Sequence, residues 1–206
     1  MSHLNPLPRT ANPELEEEFA LLERILGFVP NSVLTMQRRP KIVKGFATLT
    51  RSVMDPEGEV ELGFKRLLAH MASAAAGCQY CAAHSIIAAR IHGISDEKVE
   101  ALWNYEHSPL YSEAERVALE FARCSGAVPN AVTPELFERL RAHWNEKQIV
   151  EMLGVVALYG FLNRWNDSMA TDLEAPALAT GERFLAKHGW NAGKHSGRGR
   201  KATSGS

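Results

Sequence analysis

Leu67-Leu68-Ala69-His70-Met71-Ala72-Ser73-Ala74-Ala75-Ala76-Gly77-Cys78-Gln79-Tyr80-Cys81-Ala82-Ala83-His84 is the stretch that organises this chain. Its first ten residues are apolar and rich in helix formers, and Ser85 to Ile91 reads the same way. Gly77 between them predicts a break between two helices, which places Cys78 at the first turn of the second. Residues three apart on a helix lie on neighbouring parts of one face. Cys78, Cys81 and His84 therefore share a face, a constellation suited to redox chemistry or to metal binding.

Working outward, helical start signals recur and strand alternation is almost absent. Asn12-Pro13-Glu14 predicts a helix running to Ile25 and stopping at Gly27. Ser32 is expected to cap a helix through Gln37, and Pro40 separates it from another over about Lys41 to Met54. Asp55-Pro56-Glu57 repeats the start signal ahead of the cysteine stretch. After His92-Gly93, Ser95 predicts a helix to about Asn104, and Ser112-Glu113-Ala114-Glu115 fits a capping box opening a helix through Cys124. Thr133-Pro134-Glu135 opens another to about His143. Asn145 caps the longest, Glu146 toward Met169, whose apolar middle (Val150 to Leu162) predicts burial inside the domain or in a subunit interface. The polar group Asn163, Arg164, Trp165, Asn166 and Asp167 is expected in an interface network rather than at the site. Leu178 to Lys187 forms a last short helix.

The expected class is all-α, in one compact unit. Residues 1–29 form an N-terminal segment and helix, 30–175 the helical core, 176–188 a C-terminal helix, and 189–206 a disordered tail with Arg198, Arg200 and Lys201. The 206 residues are 45% hydrophobic and 23% charged, with a formal net charge of −1. That is globular composition, and it predicts neither a nucleic-acid nor a membrane partner. No apolar signal core opens the chain, so a cytoplasmic location is expected. Three cysteines, Cys78, Cys81 and Cys124, are not the framework of a small secreted domain; Cys124 reads as core. Zinc on Cys78, Cys81, His84 and His70 lacks the second separated ligand pair that structural zinc uses, and no metal or bound cofactor is expected.

The redox alternative has all its minimum parts. A cysteine at a helix N-terminus beside an imidazole gains thiolate character. A thiolate attacks a peroxide oxygen to give a sulfenic acid, and a second thiol closes the disulfide. An outside dithiol then reduces it.

The stretch from Leu67 to His84, followed by Ala88-Ala89-Arg90-Ile91-His92-Gly93-Ile94-Ser95, resembles the carboxymuconolactone decarboxylase superfamily in its alkyl hydroperoxidase D-like branch, whose mark is C-x-x-C-x-x-H. Ser112 to Ala122 and Phe161 to Asp167 are also similar to that branch. The likeness covers roughly residues 30 to 175. It implies a helical fold, assembly into trimers or hexamers, and reduction of hydrogen peroxide or small organic hydroperoxides with a dithiol reductant. It implies that Cys81 carries the sulfenic acid, that Cys78 is its proton donor and resolving partner, and that His84 sits in the proton relay. The chain departs from the peroxidase pattern at Arg66, where those enzymes carry a relay glutamate. His70, one turn on, is the expected replacement, provided that the chain turns back near Gly77. Two alternatives on the same fold are a redox sensor or scaffold without turnover, and a decarboxylase or lactone enzyme.

Overall fold

In the computed structural model, residues 2–197 are described. They contain ten α-helices and no strand. In chain order these are α1 (Glu16–Leu26), α2 (Asn31–Met36), α3 (Pro40–Val53), α4 (Leu62–Ala75), α5 (Gln79–Ile91), α6 (Asp96–Glu100), α7 (Glu113–Gly126), α8 (Pro134–Arg141), α9 (Glu146–Met169) and α10 (Ala175–Thr180). None of the helices among the described residues is long and apolar enough to cross a membrane.

The hairpin of α4 and α5 is the centre. Gly77 takes φ +76°, a left-handed conformation that costs glycine little, and the Cys78 amide donates back to the Ser73 carbonyl at 3.0 Å. The two helices therefore fold back on each other. Residues 63 to 73 of α4 and 80 to 89 of α5 are buried without a polar face, which is why their apolar pattern is nearly continuous rather than periodic. α7 crosses α4 at Gly126, where a Cβ would stand 2.6 Å from the backbone of Ala72. α9 packs along the hairpin through Ile149, Met152, Val155, Tyr159 and Asn166. Its 24 residues span about 36 Å at 1.5 Å per residue.

The capping box at Ser112–Glu115 forms as its sequence predicts, and Asn145 caps α9 as expected, there with Gln148 completing a second box; each has both reciprocal bonds. The start signal at Asp55-Pro56-Glu57 does not open a helix. The Asp55 carboxylate accepts the Glu57 amide at 3.0 Å, making a turn, and the Glu59 and Val60 amides donate to Glu151 of α9. Buried Lys65 closes that junction with an ion pair to Glu151 at 2.8 Å. With those amides engaged, α4 begins only at Leu62.

Two further expectations change. α9 is buried on one side only: Val150 is 69% exposed, and Leu153 and Phe161 are also exposed. The disorder expected from Gly189 does not hold over residues 189–197. Trp190 donates its indole N–H to the Gln79 carbonyl at 3.0 Å, and buried His195 faces the Thr171 carbonyl at 2.7 Å. An indole and an imidazole with carbonyl partners on the core tie this segment down despite its polar composition. Arg198, Arg200 and Lys201 lie outside the described residues.

Candidate active site

The two sulfurs meet at the N-terminus of α5. Cys78 is its N-cap, with extended backbone (φ −83°, ψ 98°), so its sulfur turns over the first turn and accepts the Cys81 amide at 3.4 Å. All three cysteines are free thiols. A hydrogen bond from the Cys81 thiol and the amides of the first turn hold Cys78 below the ordinary cysteine value, against a smaller opposing effect of burial. Burial pushes Cys81 well above it, and the charge held on Cys78 adds to the rise. The two thiols are thus pushed in opposite directions, Cys78 toward ionisation and Cys81 away from it. Asn166 of α9 is the counterweight at Cys81: its amide donates to the Cys81 sulfur at 3.4 Å and to the Leu162 carbonyl at 3.0 Å. Asn166 belongs to the polar group expected in an interface; the structure sends it to the thiol, while Arg164 stays exposed and Asp167 pairs with Lys194.

His84 is buried one turn along α5. Its Nδ1 lies 2.8 Å from the Tyr80 carbonyl, which only accepts, so Nδ1 carries a proton. Its Nε2 lies 2.8 Å from Glu174 Oε2 in an ion-pair contact that is not an aligned hydrogen bond. The Tyr80 ring stacks on the imidazole at 4.0 Å between centroids, and the Tyr80 hydroxyl donates to the other Glu174 oxygen at 2.9 Å. Burial alone would raise the Glu174 carboxyl. The electrostatic pairing with His84, with the Asn31 amide, outweighs it and holds the carboxyl below the usual range. Burial and the Glu174 carboxylate together push Tyr80 well above its usual value, so it stays a donor.

Glu174 is the residue that sequence reasoning missed. It reaches His84 because Ala170 closes α9 in the left-handed region (φ 48°) and returns the chain across α2 and α5. Nothing in the local spacing of Asp172-Leu173-Glu174 ties it to a motif ninety positions earlier. The only local signal is an acid at a helix N-cap.

The sulfurs face different spaces. Cys81, His84 and Asn166 line a cavity of about 60 Å³, walled by apolar side chains that include Leu22, Phe46 and Leu158. Arg66, at the position of the family's glutamate, lines this cavity too. It is 4% exposed and donates to the Tyr159 hydroxyl at 3.2 Å. Cys78 lines a second cavity of about 180 Å³ with His70, Trp103, His188 and Trp190. The turn at Gly77 does bring His70 back toward α5, but Nδ1 faces the Ala82 carbonyl at 3.1 Å and the ring borders the Cys78 space, not that of Cys81. Burial lowers His70 to about 4, so the ring is neutral. Cys124 is buried in α7 as a core residue. Among the described residues, no three His, Cys, Asp or Glu side chains converge to hold a metal ion.

Comparisons with known proteins agree with this architecture. The sequence profile described as the carboxymuconolactone decarboxylase family matches residues 40–123. The uncharacterized protein YnjA of Escherichia coli strain K12 is 30% identical over 101 residues, 49% of this chain and 54% of that protein. The chain thus aligns with little more than half the length of this curated relative. The debrominase Bmp8, solved as a cysteine-to-alanine variant in complex with 2,3,4-tribromopyrrole, is 34% identical with a TM-score of 0.84, covering 87% of this chain and 96% of that one. A peroxidase-related protein from Silicibacter sp. TM1040 has a TM-score of 0.72 at 24% identity, covering 84% of this chain and 92% of that one, a likeness of fold alone.

Proposed function

We propose that this chain, a member of the carboxymuconolactone decarboxylase family, is a thiol-dependent oxidoreductase. It reduces hydrogen peroxide or small organic hydroperoxides through a Cys78–Cys81 disulfide cycle, with a dithiol as electron donor. The observation that carries this reading is the geometry of the pair: the Cys78 sulfur accepts from the Cys81 amide at the helix N-terminus, and the Cys81 sulfur, with the Asn166 amide on it, faces a cavity of about 60 Å³ beside His84. A space of that size suits a peroxide of a few heavy atoms.

The cycle balances on these groups. The Cys81 proton passes to Cys78, and the Asn166 amide stabilises the charge that arrives on Cys81. Cys81 attacks the terminal peroxide oxygen; the S–O bond forms, the O–O bond breaks, and the electron pair leaves on the remaining oxygen. His84, whose Nε2 lies 2.8 Å from Glu174 Oε2, is placed to pass a proton to that oxygen. The Cys78 thiol attacks the Cys81 sulfenic sulfur, closing the disulfide and releasing water. The dithiol reopens it by exchange. Glu174 thus takes the part of the family's relay carboxylate from another element of the chain, and His70 anchors α4 to α5 as a neutral ring. The protein assembles as a homo-oligomer through the open apolar face of α9.

A second reading is favoured by the likeness to Bmp8. The same dithiol, in the same apolar cavity, removes a halogen from a small haloaromatic: the ring carbon takes a proton, the carbon–halogen bond breaks as the Cys81 thiolate bonds the halogen, and halide leaves when the Cys78 thiol closes the disulfide and gives up its proton. One assay separates the two. With excess dithiothreitol, peroxide consumption that is lost in Cys81→Ser supports the first reading. Bromide release from a brominated pyrrole without peroxide turnover supports the second. Full peroxide turnover in Cys81→Ser refutes the mechanism.

A further inference from the structure

The Cys81 cavity has a polar end that the disulfide cycle does not use. Arg66 is buried in α4, and among the described residues no carboxylate lies within ion-pair distance of it. Its one hydrogen bond runs from Nη1 to the Tyr159 hydroxyl, and its Nε is buried without a partner. The Thr50 hydroxyl of α3, on the same cavity wall, is also buried and unpartnered. An isolated charge taken out of water costs several kcal/mol unless something neutralises it, so buried guanidinium groups are found paired. Glu174 does not serve, since both of its oxygens are engaged by His84, Tyr80 and Asn31. The charge, the phenol and the hydroxyl converge instead on the space beside Cys81.

We infer that Arg66, Tyr159 and Thr50 form a binding subsite for a small monovalent anion next to the Cys81 sulfur. This deepens the thiol-reductase reading and rests on it. The anion is the negative group that the substrate carries or releases. From a peroxy acid it is a carboxylate: the Cys81 thiolate takes the terminal oxygen, the S–O bond forms, the O–O bond breaks, and the electron pair leaves on a carboxylate oxygen that Arg66 receives. From a haloaromatic it is the halide freed when the disulfide closes. A cavity of about 60 Å³ suits an ion as small as acetate or bromide, and the single guanidinium on its wall matches one negative charge. The substrate class is therefore small and loses or bears one negative charge.

The test needs no turnover, so it stands or falls apart from the peroxidase assignment. Reduced protein is alkylated with iodoacetate and, in parallel, with the neutral isostere iodoacetamide, and the rate at Cys81 is followed by peptide mapping. The acid-to-amide ratio at Cys81 is expected to be about tenfold higher in the wild type than in Arg66→Gln, the weight of one charge-assisted hydrogen bond. Arg66→Lys should keep most of the preference, and Tyr159→Phe should lose part of it. If Cys81 reacts with neither reagent, thermal midpoints decide, measured with and without about 0.1 M sodium acetate or sodium bromide. A rise with either anion that disappears in Arg66→Gln supports the subsite, and acetate alone or bromide alone names the source. An equal acid-to-amide ratio in wild type and Arg66→Gln, or midpoints that both anions move alike in the two proteins, overturns it.

Discussion

Replacing Glu174 by glutamine separates the charge of the relay from its shape. The amide is isosteric, so its oxygen still accepts from the Asn31 amide and the Tyr80 hydroxyl, the contacts that the carboxylate makes. What disappears is the charge 2.8 Å from His84 Nε2. The imidazole, 6% exposed, then loses the carboxylate that faces its Nε2 and with it the relay partner for a proton. Loss of a positioned proton donor typically costs 10²–10⁴ in rate, so single-turnover oxidation by hydrogen peroxide should fall by roughly 10² or more at neutral pH. Stability should fall less, by about 1–3 kcal/mol, because the hydrogen bonds survive; that is a drop of about 2–10 °C in the thermal midpoint for a chain of this size. The pH dependence carries a sign. Glu174 is held below its ordinary value in the folded state, so its contribution is present above the unfolded carboxylate range and is lost as pH falls through the folded value. Glu174→Gln should therefore flatten the acid limb of the stability curve while leaving neutral and alkaline behaviour parallel to wild type. Rapid-mixing measurement of thiol loss, with urea melts at pH 3 to 8, gives both readouts. A folded variant that oxidises within about twofold of wild type would show that the carboxylate has no part in the relay.

Other expectations follow from particular contacts. Asn166→Ala removes the donor at the Cys81 sulfur; the attack rate should drop about tenfold or more, with the ultraviolet thiolate titration of Cys78 unchanged. Gly126→Ala forces a Cβ to within 2.6 Å of the Ala72 backbone, and urea unfolding should show a loss of about 1–3 kcal/mol from overpacking. Trp190→Ala removes the indole that donates to the Gln79 carbonyl and borders the Cys78 cavity. Reduction of a preformed disulfide by bulky thiols should quicken while peroxide oxidation stays unchanged, and equal effects on both would contradict separate access to the two sulfurs.

The helical class was legible because its determinants are local. A glycine that takes positive φ, serine and asparagine caps answered three residues later, and prolines at first turns each fix one boundary from neighbours in sequence. The start signal at Asp55 misled for an equally physical reason. An aspartate that caps a helix also makes a turn, and the decision came from Glu151, which lies far along the chain in α9. The thiol motif is local as well, since the N-cap and first two turns of α5 hold Cys78, Cys81 and His84. Its electrostatics are not. Glu174, Asn166 and Arg66 arrive from three other places in the fold, and no periodicity links them. His70 shows the same limit: a two-helix hairpin was enough to bring it back toward α5, but which of two cavities its ring borders depends on packing. Residues 189–197 read as disorder because their composition is polar, whereas single contacts by Trp190 and His195 hold them.

The division of charge between the two sulfurs is tested most directly by alkylation with iodoacetamide across pH 5 to 11, with the modified cysteine identified at each pH. The account predicts that Cys78 reacts with a midpoint below the ordinary cysteine value of about 8.5, that Cys81 reacts only well above it, and that Cys81→Ala moves the Cys78 midpoint upward by removing its hydrogen-bond donor. A low midpoint at Cys81, or two ordinary thiols that ignore each other's removal, would contradict it.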